Sequence, residues 1–211
     1  MRMNWEVMIM PIKMNEREYR SMTMSAVEDE EARVRGYATT FDDPYTLYSD
    51  DDIVLREIID HDALADADMS DVIMQYDHEG RVYARTSNGT LRVEPDAHGL
   101  AIEADLSGTE LGRELFREIK GGYTTKMSWA FIVAADEWKS EKAPDGRKLE
   151  TRTIKRVRKV FDVSAVSMPA NDASEISARN LTDGVIERVK AERLKELEFR
   201  KRKMLLEDWL K

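Results

Sequence analysis

The sequence predicts an α+β fold, and three observations point to it. Most of the chain reads as short strands punctuated by Gly, Pro and Asp. One internal segment, TELGRELFREIKGG, carries Leu111, Leu115, Phe116 and Ile119 at helical spacing. The stretch from Val185 to Lys211 is rich in helix formers and has no Gly or Pro. The 211 residues suit a compact domain over 1–180 with a C-terminal amphipathic helical extension over 181–211.

Taken in order, residues 1–20 read as an irregular entry or an edge strand. RVRGYATTF, from Arg33, alternates as a strand does. FDDPYTLYSDDD reads as a turn-rich loop with an acidic cluster, and β character resumes from Ile53 to Ile59. HDALADADMS suggests a short helix with Asp60 as N-cap. DVIMQYDH is a strand running into a loop, and RVYART, TLRVEP and GLAIEADL follow as short strands. Ser107 is placed to cap the internal helix, and Gly121-Gly122 to end it. YTTKMSWAFIVAADEW is then a long strand, SEKAPDGRK a hairpin loop, and LETRTIKRVRKVFDVSAVS a second long strand.

Composition narrows the function classes. The net charge is −9, which argues against a nucleic-acid binder, since such proteins need a basic face. Cysteine is absent, so disulfides, thiolate metal sites and a cysteine nucleophile are excluded. No run of 18 apolar residues is present to span a membrane, and the opening segment, broken by Pro11 and Lys13, does not read as a signal peptide. The extension differs from the rest: from Val185 onward the net charge is +3, against −12 for the preceding residues. Ile186, Leu194, Leu197, Met204 and Leu205 lie near one helical stripe. Such a helix either packs back on its own domain or serves as a partner-binding arm.

Three residues carry candidate chemistry. His78 follows the apolar strand VIMQY where the chain turns polar, a place from which a rigidly held side chain can act as general base. A lone histidine at a strand end is more often structural, and the residue by itself leaves both readings open. His61, at a helix start, and His98, in the turn AHGL, read as surface residues. Ser128 lies in KMSWAF, where alternation puts Lys126, Ser128 and Ala130 on one face and Met127, Trp129 and Phe131 on the other. The serine is therefore expected on a face that substrate can reach. Asp162 interrupts the apolar strand VFDVSAV. It is either a carboxylate on a half-exposed face or the group that orients a histidine and stabilises its cation.

These segments resemble the prohead (head maturation) proteases of tailed bacteriophages, a family distantly related to the herpesvirus maturation protease, assemblin. The resemblance runs from about Arg33 to Ala178. RVRGYATTF resembles the opening strand, and VLREIIDHDAL the segment before a short helix. VIMQYDHEGRVYART resembles the histidine motif, and TLRVEPDAHGLAIEADL the hairpin that follows it. GGYTTKMSWAF resembles the serine motif and VFDVSAVSMPAND the closing motif.

The resemblance implies a serine endopeptidase with Ser128 as nucleophile, His78 as base and Asp162 as third member. Assemblin has a second histidine in that third role; should Asp162 lie beyond reach of His78, Glu103 and Glu57 are the next carboxylates to consider. The resemblance also points to an oxyanion loop over Pro169 to Asp172, with Ala170 and Asn171 offering N–H groups. No metal and no organic cofactor is implied. The fold implied is a closed or nearly closed β-barrel of about six to eight strands with peripheral helices. The implied substrate is the major capsid protein or a scaffold protein, cut inside the assembling prohead in the host cytoplasm. Self-cleavage is expected, and a homo-oligomer is compatible with the pattern; no nucleic acid or membrane partner is expected. The alternative reading is a non-catalytic scaffold or capsid-assembly protein with the same fold. A small-ester hydrolase is a weaker rival, because the chain lacks a Gly-x-Ser-x-Gly elbow.

Overall fold

The computed structural model describes residues 17–26, 32–167, 184–195, 197–199 and 201. Its framework is a hairpin of two long strands. β9 (Lys126–Lys142) turns through residues 143–147 into β10 (Lys148–Val166). Their length follows from sustained β-branched and aromatic content with no interrupting Pro or Gly. β1 (Glu18–Ala26) lies antiparallel to β9, and β2 (Arg33–Thr40) continues outward from β1. β8 (Gly99–Asp105) and β7 (Leu91–Pro95) complete that side. On the other edge β10 has two parallel partners in succession. β4 (Ile53–Ile59), itself paired with β3 (Tyr45–Ser49), covers Lys148–Ile154, and β5 (Ile73–Tyr76) covers Asp162–Ala165. β6 (Glu79–Arg85) pairs with β5.

The ten strands form one mixed sheet in the order β3-β4-β10-β9-β1-β2-β8-β7, with β5 and β6 branching from β10. The expected closed or nearly closed barrel of six to eight strands is not confirmed: among the described residues hydrogen bonds do not close the sheet, since no ladder joins β7 to β3 or to β6. A 3-10 turn, Thr86–Asn88, separates β6 from β7. The side chain of Thr90 takes the hydrogen bond of Arg85 N at 2.9 Å, so that donor has no neighbouring strand as its partner.

Four local expectations change. Residues 18–26 form a strand in the middle of the sheet, not an entry or an edge. Its inward side chains include Glu18 and Arg20 as well as Met24, so its buried face has no continuous apolar signature. The segment after Asp60 is a run of turns and not a helix. Ala63, Ala65 and Ala67 each bond three residues back, while Asp60 N and Val157 N tie the segment to β10. The acidic loop before Ile53 contains β3. The helix α1 (Glu110–Lys120) forms as expected, but Thr109 caps it in place of Ser107, accepting from Gly112 N at 2.9 Å. α1 buries Leu115 and Ile119 in the main core, while Leu111 is exposed.

A second helix, α2, covers the described residues 184–195, 197–199 and 201. Val185, Ile186 and Val189 pack on Ile53 and Leu55 of β4, forming a small cluster apart from the main core. Leu194, Leu197 and Phe199 farther along α2 are exposed.

Candidate active site

The site is built on the outer face of β9. Met127, Trp129 and Phe131 turn into the core, Trp129 stacking on Phe131 at 3.9 Å between centroids. Alternation then directs Ser128 and Ala130 to the opposite face. In register with Ser128 stand Ser21 on β1 and Ser164 on β10; in register with Ala130 stand Tyr19 and Asp162.

A β-bulge brings Asp162 to this face. Val160 pairs with Phe131 and Asp162 with Ala130, so Phe161 is one residue extra on β10. Val160 belongs to the core, and strict alternation would send Asp162, two residues on, inward beside it. The extra residue reverses that sense: Val163 and Ala165 fill the core, while Asp162 and Ser164 join Ser128. Asp162 and Ser128 become diagonal neighbours, a spacing of roughly 7–8 Å between Cα atoms in a sheet. An imidazole with one hydrogen bond on each nitrogen spans such a gap.

His78 comes from a tight hairpin. Tyr76 of β5 faces Glu79 of β6, leaving Asp77 and His78 as a two-residue turn with φ of 47° and 60°. Two consecutive positive φ values are the requirement of a type I′ turn, which normally selects Asn-Gly. Left-handed backbone at a non-glycine residue costs about 1–2 kcal/mol. Asp77 holds the turn in place. Its N–H donates to Ala165 O at 2.8 Å, and its carboxylate accepts from Ser167 N and Ser167 Oγ, each at 2.9 Å. The hairpin is thereby pinned to the end of β10, beside Asp162.

The imidazole and carboxylate meet: His78 Nδ1 lies 2.5 Å from Asp162 Oδ1. The same oxygen accepts from Ser164 Oγ at 2.7 Å. Asp162 is 2% exposed, so these donors replace the water it has lost. An ionised carboxylate only accepts, so in the neutral imidazole this contact puts the proton on Nδ1 and leaves Nε2 with its lone pair. Tyr19 sets its ring edge against His78 at 4.5 Å between centroids.

Two polar atoms in this site are buried and have no hydrogen-bond partner among the described residues, His78 Nε2 and Ser128 Oγ. Ser128 itself is 1% exposed, contrary to the expectation of an accessible face. It lies on a strand flanked on both sides, by β1 and β10, where the sequence pattern reports direction but not covering. A serine with an uncommitted hydroxyl, an imidazole with an uncommitted Nε2 and a carboxylate on the far nitrogen make up a nucleophile, base and orienter set. Ser164 is a poorer nucleophile candidate, because its proton is already donated to Asp162.

The other candidates fall elsewhere. His61 and His98 are exposed, with their rings against Phe41 and Tyr37. Glu103 pairs with Arg33 and Arg35. Glu57 is enclosed by Arg20, Arg152 and Tyr45. The oxyanion candidates Ala170 and Asn171 lie outside the described residues. No group of three or more His, Cys, Asp or Glu among the described residues is arranged to hold a metal. Sequence reasoning passed over Tyr19, Asp77 and the role of Ser164. Only Ser164 carried a signal, a second polar residue in an apolar strand.

The family model of the caudovirus prohead serine protease matches residues 19–188. The match takes in β1 and the first turn of α2, beyond both ends of the segments that carried the resemblance. No curated protein and no solved structure matches the chain significantly. A match over so much of the chain shows the family, one of serine peptidases: the chain belongs to the caudovirus prohead serine proteases.

Proposed function

We propose that the chain is a serine endopeptidase that cuts scaffold or capsid-protein segments during prohead maturation, and cuts itself, with Ser128, His78 and Asp162 as its catalytic set. The observation that carries this reading is the 2.5 Å contact between His78 Nδ1 and Asp162, which leaves Nε2 as the basic nitrogen on the face that holds Ser128. In the reaction Ser128 Oγ attacks the scissile carbonyl while His78 Nε2 takes its proton. Asp162 supports the imidazolium so formed, and the proton passes to the leaving amine. Water then repeats the sequence on the acyl-enzyme. Backbone N–H groups near Ala170 and Asn171 are proposed to hold the oxyanion. The setting proposed is the interior of the assembling prohead in the host cytoplasm.

Burial of Ser128 favours a second reading, a non-catalytic assembly protein of the same fold. Against it stands the conjunction of an unpartnered imidazole nitrogen and an unpartnered hydroxyl in one cluster, with a carboxylate on the far nitrogen of that imidazole. A purely structural site has no use for that combination, whereas a peptidase needs all three groups. The test is incubation of the purified chain with the capsid or scaffold subunit of the same phage. Wild type should release discrete fragments, and Ser128→Ala none. Absence of cleavage by wild type in assembling shells, or equal cleavage by Ser128→Ala, would overturn the catalytic assignment.

A further inference from the structure

Ser164 has no part in the reaction as written above, yet it is wholly buried, and its hydroxyl is placed on the oxygen that His78 uses. We infer that Ser164 is a positioning residue, acting through Asp162 to hold the carboxylate against His78. The inference rests on the catalytic reading of the Asp162–His78 pair and extends it by one residue.

A carboxylate on a β-strand has a broad terminal torsion, so packing alone leaves its plane loosely set relative to the imidazole. Ser164 removes that freedom. It lies two residues after Asp162, on the same face because the bulge at Phe161 precedes both. Its Oγ donates to Oδ1 at 2.7 Å, while His78 Nδ1 approaches the same atom at 2.5 Å. Both donors on one oxygen fix the plane of the carboxylate relative to the ring. Ser164 also stands in register with Ser128 across β9 and β10. The residue that orients the orienter is thus the direct cross-strand neighbour of the candidate nucleophile. The hydroxyl itself stays out of the proton path, since its proton is held by Asp162.

The experiment is a double-mutant cycle on peptide cleavage by the full chain, with Ser164→Ala, Asp162→Asn and the pair. Hydrogen bonds to charged groups carry enough energy for a loss of about 10- to 100-fold in kcat for Ser164→Ala, with KM little changed. In the Asp162→Asn background the same substitution should cost less than about 2-fold, because the charge that the hydroxyl positions is gone. Ser164→Cys fills the site with a weaker donor and should fall between wild type and Ser164→Ala; it carries the same cycle if Ser164→Ala does not fold. Full activity of Ser164→Ala, or an equal loss in both backgrounds, would overturn the positioning role and leave the catalytic set standing. Full activity of Asp162→Asn would overturn the catalytic set together with it.

Discussion

Two buried polar clusters lie on opposite faces of the same strands, and they are finished to different degrees. On the inner side, Arg20 reaches both oxygens of Glu57 at 2.6 and 2.7 Å, and also Glu18 at 2.9 Å. Arg152 bonds Glu18, Glu57 and Asp136 at 2.6 to 3.0 Å, and Tyr45 donates to Glu57. These groups join β1, β3, β4, β9 and β10, and the arginines and carboxylates answer one another. On the outer side, Ser164, Asp162 and His78 form a shorter chain that stops at two unpaired atoms. A closed network rigidifies a fold; an open one beside a turn with two left-handed residues is what the proposed catalytic reading requires.

The largest effect should come from breaking the open cluster. Ser128→Ala is expected to reduce cleavage by roughly 10⁴-fold or more, and His78→Ala by several orders of magnitude, about as much as loss of a triad member does elsewhere. Ser128→Ala should lower stability little, since it removes an atom that already lacks a partner, whereas His78→Ala also takes away the Nδ1 donor of buried Asp162. His61→Ala and His98→Ala should retain near-normal rates. Urea unfolding beside a cleavage assay separates the two properties, and a marked stability loss in Ser128→Ala would show that the serine belongs to the structural class.

The closed cluster should behave in the opposite way. Arg152→Ala leaves buried Glu18 and Glu57 to share Arg20 and takes the guanidinium from Asp136, and it should cost about 3–5 kcal/mol in urea unfolding. The protein that remains folded should cleave within about threefold of wild type, being on the far face from Ser128. A rate loss without a stability loss would merge the two clusters into one functional unit.

Acid should distinguish them next. Burial pushes the Glu57 carboxyl up, but Arg20 and Arg152 beside it, with hydrogen bonds from Arg20 and Tyr45, outweigh burial and hold it below its ordinary value. Its contribution to stability is therefore fully present above the unfolded glutamate value of about 4.3 and is lost as pH falls through the lower folded value. Wild type should exceed Glu57→Gln in stability at neutral pH, and the two curves should converge below about pH 4. Curves that run parallel through that range would contradict the linkage.

The smallest effect concerns the exposed far end of α2. Deletion after Asn180 removes Val185, Ile186 and Val189 from β4 and exposes Ile53 and Leu55, at roughly 1.5 kcal/mol or more per buried side chain lost. Deletion after Arg193 keeps those contacts and removes the exposed Leu194, Leu197 and Phe199. It should leave stability and peptide cleavage nearly unchanged while weakening incorporation into assembling shells in a salt-sensitive way. Normal incorporation of that shorter deletion would remove the arm reading.

The residues of the open cluster were legible because each breaks its local pattern: a histidine after an apolar strand, a serine between bulky residues, an acid inside VFDVSAV. Their family order was legible for the same reason. The bulge at Phe161 was not, since nothing in VRKVFDVSAV marks which residue is extra, and so the company of Ser164 was missed. β1 was misplaced because its inward residues include Glu18 and Arg20, whose burial depends on partners 37 to 134 positions away. Barrel closure and the covering of Ser128 are likewise non-local. They depend on which edges meet and what lies above a face, and alternation reports neither.

The central claim is that Ser128 is the nucleophile and His78 makes it one. A fluorophosphonate reacts only with an activated hydroxyl, so labelling of the full chain followed by peptide mapping reads the claim directly. The adduct should fall on Ser128, be absent from Ser128→Ala, and form at a small fraction of the rate in His78→Ala. An adduct on Ser164 or Ser21 would contradict the claim, as would labelling of Ser128 that persists undiminished without His78.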